Sequence, residues 1–341
     1  MTEKAGSKQA VLLLAHGTPE TVEQVPEYLR NVVSGRPMPQ HVVEEIQHRY
    51  SLIGKSPLTE LTLEQARLVE GEVARAGQAA RVYVGMRNWR PYIADVVRQM
   101  RSDGVEEAAV ICLAPQNSRT SVGLYRRAVL AEAGEMRIDF TESWADHPLL
   151  AEAFAERLRE AQARMKAETG AYAPVLFTAH SVPARTVQPS PPGANPDENQ
   201  PRGESRYWPG EGADPYVQDA HRTAELVAAL VPEIPAWEFA FQSQGASGGP
   251  WIGPTVEETL DRLASQSVRN VILQPVGFLC DHVEILFDVD IAFMGYAGGK
   301  GLRLARPQSL NASEALARAV ADLAIKGLGR LKTTLPKREL P

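Results

Sequence analysis

Cysteine is nearly absent from this chain: Cys112 and Cys280 are the only two among 341 residues. Both fall in or beside apolar strand-like runs, so a disulfide framework is not expected and a reducing compartment is. Two thiolates also fall short of the four that hold an iron–sulfur cluster. Long hydrophobic runs are missing too. No apolar stretch approaches the length that spans a bilayer, and the opening M-T-E-K-A-G-S-K-Q-A has no signal-peptide core. Nor is there an excess of positive charge: 36 Lys and Arg stand against 42 Asp and Glu, for a net charge of −6. Without surplus cations to displace phosphate counterions, nucleic acid is not an expected partner, and a polybasic membrane anchor is excluded. The phosphate loop G-x-x-x-x-G-K-[ST], the dinucleotide motif G-x-G-x-x-G and the metalloprotease motif H-E-x-x-H do not occur. A cytoplasmic globular protein without nucleotide chemistry is expected.

What the chain does contain is a repeat. Residues 11–19 read V-L-L-L-A-H-G-T-P and residues 175–183 read V-L-F-T-A-H-S-V-P. Each is an apolar strand ending in Ala and His, with Pro three positions later. His16 and His180 are separated by close to half the chain. The length itself suits two domains better than one. Strand-like runs at Ala10–Ala15, Arg81–Val84, Ala108–Leu113 and Arg137–Phe140 are followed by a second set at Val175–Thr178, Glu238–Phe241, Asn270–Gln274 and Leu302–Leu304. Amphipathic stretches such as Leu61–Ala76, Leu150–Ala167 and Tyr216–Leu230 separate them. This alternation predicts an α/β fold of two Rossmann-like domains with parallel sheets, related by pseudo-duplication. The expected domains are residues 1–145 and 146–328. A Pro- and Gly-rich insertion covers 186–215 and has no periodicity; a disordered tail covers 329–341. Ligands of open parallel sheets bind beyond the carboxyl ends of the strands. Two such ends facing each other make a cleft with an imidazole on each wall.

A second chemical signal follows the strand Asn270–Gln274. Read as a helix, Asp281, Glu284 and Asp288 share one face among Val283, Ile285, Leu286 and Phe287. Repulsion between like charges at this spacing costs about 0.2–0.5 kcal/mol per pair. Either the acids form an ordinary solvated face, or they line a route for a cation or a proton. Periodicity does not choose between these. A single His after a strand, such as His16 or His180, is by itself often a turn or core residue. His41, His48, His147 and His221 sit in polar helical contexts and read as surface residues, and the direction of His282 is not legible.

Together these features resemble the ferrochelatase family, which inserts Fe²⁺ into a porphyrin in haem biosynthesis. The resemblance runs from about Val11 to Leu328. It rests on His16-Gly17-Thr18-Pro19, Arg49-Tyr50, Ile53-Gly54-Lys55-Ser56-Pro57-Leu58, Gly85-Met86-Arg87, Ala179-His180-Ser181, Gln242-Ser243, Pro250-Trp251-Ile252-Gly253-Pro254 and Asp281-His282-Val283-Glu284. It implies a porphyrin cleft between two Rossmann-like domains, with His180 and Glu284 as the catalytic pair and metal site. It implies further that His16, Arg49, Tyr50, Ser56 and Tyr125 bind the macrocycle or its carboxylates, and that Asp288 and Asp290 ferry protons or metal. No permanently bound cofactor is implied: Fe²⁺ is a substrate, and the cysteine cluster that carries iron–sulfur in the animal type is missing. The implied partners are porphyrin and Fe²⁺, with an unidentified haem acceptor. The chain departs from the family at His16. The Gram-positive coproporphyrin III branch has Tyr there, and protoporphyrin IX enzymes often have an apolar residue. Asn88 and Gln116 likewise replace ring-bearing residues of some relatives. A sirohydrochlorin cobaltochelatase would want more basic residues than this chain offers, and a haem or porphyrin carrier would have no use for the acids.

Overall fold

The computed structural model describes residues 9–188, 213–244 and 249–333. The first sheet joins β1 (Gln9–Ala15), β2 (Arg81–Met86), β3 (Glu107–Cys112) and β4 (Arg137–Thr141), all parallel, in the order β2-β1-β3-β4. The second joins β5 (Val175–His180), β6 (Trp237–Gln242), β7 (Asn270–Pro275) and β8 (Arg303–Ala305), also parallel, in the order β6-β5-β7-β8. The two orders are the same pattern, so the repeat seen in sequence is a repeat of topology. Each expected strand is present.

The helices are α1 (Val25–Val32), α2 (Gln40–Ile53), α3 (Leu58–Arg75), α4 (Ile93–Ser102), α5 (Val122–Glu132), α6 (Pro148–Thr169), the short α7 (Ala184–Val187), α8 (Tyr216–Ala229), α9 (Val256–Ser265), α10 (Met294–Gly299) and α11 (Glu314–Thr333). A π-helix over Glu284–Phe293 runs directly into α10.

Strand alternation sorts the core. On β1, Ala10, Leu12 and Leu14 face an outer cluster with Val97 of α4 and Val129 of α5. Val11, Leu13 and Ala15 face inward, into a cluster that also contains Phe177 and Ala179 of β5 and apolar residues of α3, α6, α8 and α11. A period of two therefore gives each sheet one private face and one face on a core shared by both halves. The outer face of the second sheet is covered by Ile285, Val289 and Phe293 of the π-helix together with Leu260 of α9.

One expectation changes in three dimensions. The final helix continues to Thr333, past the start of the tail expected from residue 329. Leu328 and Leu331 are buried, Arg137 Nη1 donates to the Leu331 carbonyl at 3.0 Å, and Arg330 Nη2 reaches Asp139 at 2.7 Å. Apolar burial and these bonds hold the helix where sequence alone suggested fraying; residues 334–341 lie outside the described residues. The same helix packs on β3, β4 and α3, so the C-terminal end of the chain completes the N-terminal sheet. At Gly327 an added Cβ would meet Ala109 Cβ at 2.9 Å, which shows how closely the helix approaches that sheet. Of the expected insertion at 186–215, residues 189–212 lie outside the described residues, including Tyr207 and Trp208.

Candidate active site

Both sheets direct the carboxyl ends of their central strands at one cavity of about 340 Å³, within the range of small-molecule sites. Its lining includes His16 and Arg87 from the first half, and His180, His282 and Glu284 from the second. Ser118, Thr120, Ser121 and Tyr125 form a hydroxyl-rich wall after β3. Close backbone approach makes room for it. At Gly277 a Cβ would lie 2.8 Å from both Cα and Cβ of Ala179. At Gly17, where φ is +83°, it would lie 2.9 Å from Trp89. Glycine is required at both places, for contact at the first and for contact and backbone sign at the second.

His180 ends β5. Its Nδ1 makes a short hydrogen bond to the Ser181 carbonyl. A carbonyl oxygen only accepts, so the proton is assigned to Nδ1 and the lone pair to Nε2. The strand end is pinned from both sides. The Ser181 amide donates to the Gln242 carbonyl at 2.6 Å, Ser181 Oγ donates to the Ile252 carbonyl at 2.8 Å, and Tyr216 Oη donates to the His180 carbonyl at 2.8 Å.

Glu284 opens the π-helix. Gln242 Nε2 donates to its carbonyl at 3.2 Å, and Thr178 Oγ1 donates to Gln242 Oε1 at 2.6 Å, so one buried amide couples β5, β6 and the π-helix. The carboxylate lies 3.1 Å from His282 Nε2. His282 Nδ1 donates to the Cys280 carbonyl at 2.8 Å, which occupies its other nitrogen. Both ring nitrogens of His282 thus face oxygen, one from the backbone and one from the Glu284 carboxylate. Burial alone would push the Glu284 carboxyl up, but the imidazoles of His282, His180 and His16 outweigh it and hold the group below its usual range.

Asp288 lies one turn further along the π-helix, buried, and accepts a short hydrogen bond from Ser243 Oγ. Burial raises its carboxyl above the usual value against the Ser243 bond, and the Glu284 charge adds to the rise. Two neighbouring carboxyls are thus pushed in opposite directions, the arrangement in which one stays ionised while the other accepts a proton readily.

His16 faces the cavity from the end of β1. It is open to solvent through the mouth yet surrounded by protein, and loss of hydration pushes its pKa down to about 4. The Asn88 amide nitrogen lies 3.1 Å from its Nε2 and 3.3 Å from its Nδ1, so the ring is neutral and held. Burial likewise pushes the Tyr125 hydroxyl well above its usual pKa, so it is a neutral donor on the wall.

The remaining expected site residues are not on the wall. Arg49, on α2, pairs with Glu45 and reaches Asp288 Oδ1 at 3.2 Å, its guanidinium 5.0 Å from the Phe287 ring centre. Tyr50 is buried, its hydroxyl 3.0 Å from Thr18 Oγ1. Ser56 is buried and does not line the cavity. Asp290 receives both Nε and Nη2 of Arg306 at 2.7 Å each, so its carboxylate is committed to a guanidinium rather than aligned with Glu284 and Asp288. Asp281 departs from the expected acid stripe. It precedes the π-helix and is held by Ser309 Oγ at 2.7 Å, Asn311 Nδ2 at 2.9 Å and Arg306 Nη1 at 3.2 Å. The i→i+5 bonding of a π-helix also changes which residues share a face, so α-helical spacing misreads this segment. Two histidines read as surface residues are part of the structure. His147 is buried with Nε2 2.8 Å from Asp322, and His221 stacks on Phe239 with ring centres 4.2 Å apart.

With this geometry in place, the comparisons are decisive. The sequence profile of the family described as Ferrochelatase matches residues 8–328. This chain belongs to the ferrochelatase family. It is 58% identical over 328 residues to a ferrochelatase of Acidobacterium capsulatum, covering 96% of this chain and 97% of the relative. It is 33% identical to a coproporphyrin III ferrochelatase of Mycolicibacterium vanbaalenii, covering 98% of this chain and 93% of that one. Among solved structures, the sirohydrochlorin chelatase SirB from Bacillus subtilis subspecies spizizenii, in complex with cobalt, aligns with a TM-score of 0.54. Identity is 12%, with 96% of this chain and 97% of that one covered, so this likeness concerns the fold alone. As a ferrochelatase the protein is an enzyme that inserts iron into a porphyrin in haem biosynthesis. The sirohydrochlorin reading is not favoured. No described helix is long and apolar enough to cross a membrane.

Sequence reasoning located His180 and Glu284 but missed their supports. Gln242 and Ser243 carried a signal as a polar pair at the end of an apolar strand. Arg87 stood beside Gly85-Met86 without an assigned role. Nothing local marks Arg306 as the partner of two acids, because its partners lie 16 and 25 positions earlier in the sequence.

Proposed function

We propose that His180 and Glu284 are the groups at which Fe²⁺ replaces the two pyrrole protons. The observation that carries this reading is that an imidazole whose free lone pair is on Nε2 and a carboxylate paired with His282 line the same cavity. His180 Nε2 is the first nitrogen ligand to incoming Fe²⁺. The hydrogen bond from Nδ1 to a carbonyl fixes the orientation and tautomer of the ring. Glu284 supplies an oxygen to the metal as it sheds water, and with His282 takes up protons leaving the pyrrole nitrogens. Each insertion releases two protons, which must travel away from the ring. Asp288, with raised proton affinity and in contact with Arg49 towards solvent, is the next station. Asp290 is assigned to fixing the π-helix through Arg306, and Arg49 to orienting the Asp288 carboxylate rather than to a porphyrin carboxylate.

The porphyrin lies against the hydroxyl wall, with Arg87 and Tyr125 facing its carboxylates and His16 towards one ring face. Tyr50 is assigned to holding the loop after β1 through Thr18, and Ser56 to a buried structural position. A neutral His16 can also ligate product iron. The hydroxyls and Arg87 suit a substrate rich in carboxylates, which favours coproporphyrin III over protoporphyrin IX, in keeping with the name of the Mycolicibacterium vanbaalenii relative. No resident cofactor is assigned, iron–sulfur included: the two cysteines are both buried. Free thiols and the absence of a basic surplus fit a cytoplasmic protein without a nucleic-acid partner; its haem acceptor remains to be identified. The test is anaerobic mixing with Fe²⁺ and either porphyrin while following the free-base absorption bands. Loss of those bands faster than in buffer, and faster with coproporphyrin III, is expected. Bands that decay at the buffer rate with both porphyrins overturn the reading.

A further inference from the structure

The hydroxyl wall belongs to the N-terminal half, yet its backbone is fixed from the C-terminal half. Asp214, just before α8, accepts the Arg119 amide at 2.8 Å on Oδ2 and the Tyr216 amide at 3.0 Å on Oδ1. Asp219, on the first turn of α8, accepts on Oδ2 from both the Asn117 amide at 2.8 Å and Ser143 Oγ at 2.7 Å. One turn later Thr223 Oγ1 receives Gln116 Nε2 at 3.1 Å and donates to the Ala145 carbonyl at 2.8 Å. The same helix holds the other side of the cavity, through Tyr216 Oη on the His180 carbonyl at 2.8 Å. Asp214 is buried, and burial raises its carboxyl above the usual value against the two amides it accepts. None of these carboxylates lines the cavity.

We infer that Asp214 and Asp219 are positioning residues for porphyrin binding: from α8 they set the distance between the Gln116–Ser121 wall and the imidazole of His180. A carboxylate accepting backbone N–H groups makes charge-assisted bonds, about twice as strong as neutral ones. Two of them fix alternate peptide units, 117 and 119, on either side of Ser118. The hydroxyls of Ser118, Thr120 and Ser121 are therefore held relative to His180 by a helix of the opposite half, in addition to their connection to β3. Misplacing such a wall weakens porphyrin binding while leaving the groups that meet the metal in place.

The inference rests on the cavity being the porphyrin site, and the wild-type protein tests that first. Quenching of coproporphyrin III fluorescence in the absence of metal must show binding by the wild type; no binding removes the porphyrin reading itself. Given binding, Asp219→Ala is expected to raise the porphyrin Kd and KM roughly tenfold, as for loss of a bond to a charged group, with the KM for Fe²⁺ unchanged. Asp219→Asn keeps one oxygen that can accept from both the Asn117 amide and Ser143, and is expected to restore the porphyrin KM to within about threefold of wild type. Asp214→Asn has only one acceptor oxygen for two amides and is expected to fall between. Porphyrin Kd and KM within twofold of wild type in Asp219→Ala overturn the inference. So does a fall in kcat with both KM values unchanged, the mark of a smaller folded fraction. If Asp219→Ala does not fold, the conservative pair decides: an Asp214→Asn protein whose porphyrin Kd equals that of Asp219→Asn overturns it.

Discussion

The two halves of this ferrochelatase share a strand order and a histidine at the same strand end, but they use that histidine differently. At His16 the Asn88 amide sits at the edge that carries the ring nitrogens, and poor hydration keeps the ring neutral down to a pKa of about 4. At His180 a carbonyl takes the Nδ1 proton and leaves Nε2 for the substrate. A polar side chain holds the first imidazole, whereas the chain's own backbone holds the second by one nitrogen. The second half also has the π-helix, which sets Glu284 on the cavity wall and Asp288 one turn further along, buried. Duplication supplied a symmetric frame, and chemistry followed from what was placed after β7.

The strongest way to break this comparison is to remove each imidazole in turn. His180→Ala should lower the rate of Fe²⁺ insertion by about 10³-fold while porphyrin still binds, and His16→Ala by less than about tenfold. Equal losses measured by anaerobic stopped-flow absorbance would mean that the halves are not functionally distinct. Within the second half, Glu284→Gln should cost about 10²-fold in kcat and Asp288→Asn about tenfold. The first loses an ionised partner to the metal and His282, while the second loses only the next proton acceptor. A reversed ranking in kcat would place the principal acceptor at Asp288.

The close approaches offer a sharper structural contrast. Gly277→Ala places a methyl against Ala179 and should destabilise by about 1–3 kcal/mol. Gly17→Ala meets Trp89 and must also hold an L-residue at a φ of +83°, so it should cost more. Urea denaturation midpoints compare the two. The smallest effect concerns pH. The unfolded His16 ionises near its usual 6.5, while the folded ring stays neutral to about 4, so between these values the unfolded chain binds more protons. The stability that depends on a neutral His16 is complete above 6.5 and declines as the pH falls to 4. His16→Gln should flatten that part of the stability–pH curve, and an unchanged slope would mean that the folded ring titrates normally.

Much of this was legible beforehand because it is written at short range. Apolar runs of strand length located all eight strands of the described residues, and their spacing revealed the parallel alternation. The repeated Ala-His with its following Pro marked the strand ends that meet at the cavity. The acids after β7 were visible as a cluster, but their geometry was not. Asp281 and Asp290 look equivalent to Glu284 and Asp288 in sequence, and what separates the two pairs is that Arg306 binds both members of the first. His147 read as a surface residue because its polar neighbours are local, while its partner Asp322 arrives from the last helix. That helix itself crosses back to the first sheet, a docking that no local pattern announces.

The order of apolar and polar residues by itself determined the strands, their pairing class, the doubled architecture and the chemical types available at the strand ends. Tertiary structure decided which nitrogen of His180 is free, which acids are neutralised by Arg306, and that α8 of one half fixes the wall of the other. The physical reason is range. Hydrophobic periodicity acts between neighbours in the chain, whereas proton placement and ion pairing depend on groups that meet only after both sheets have packed on their common core.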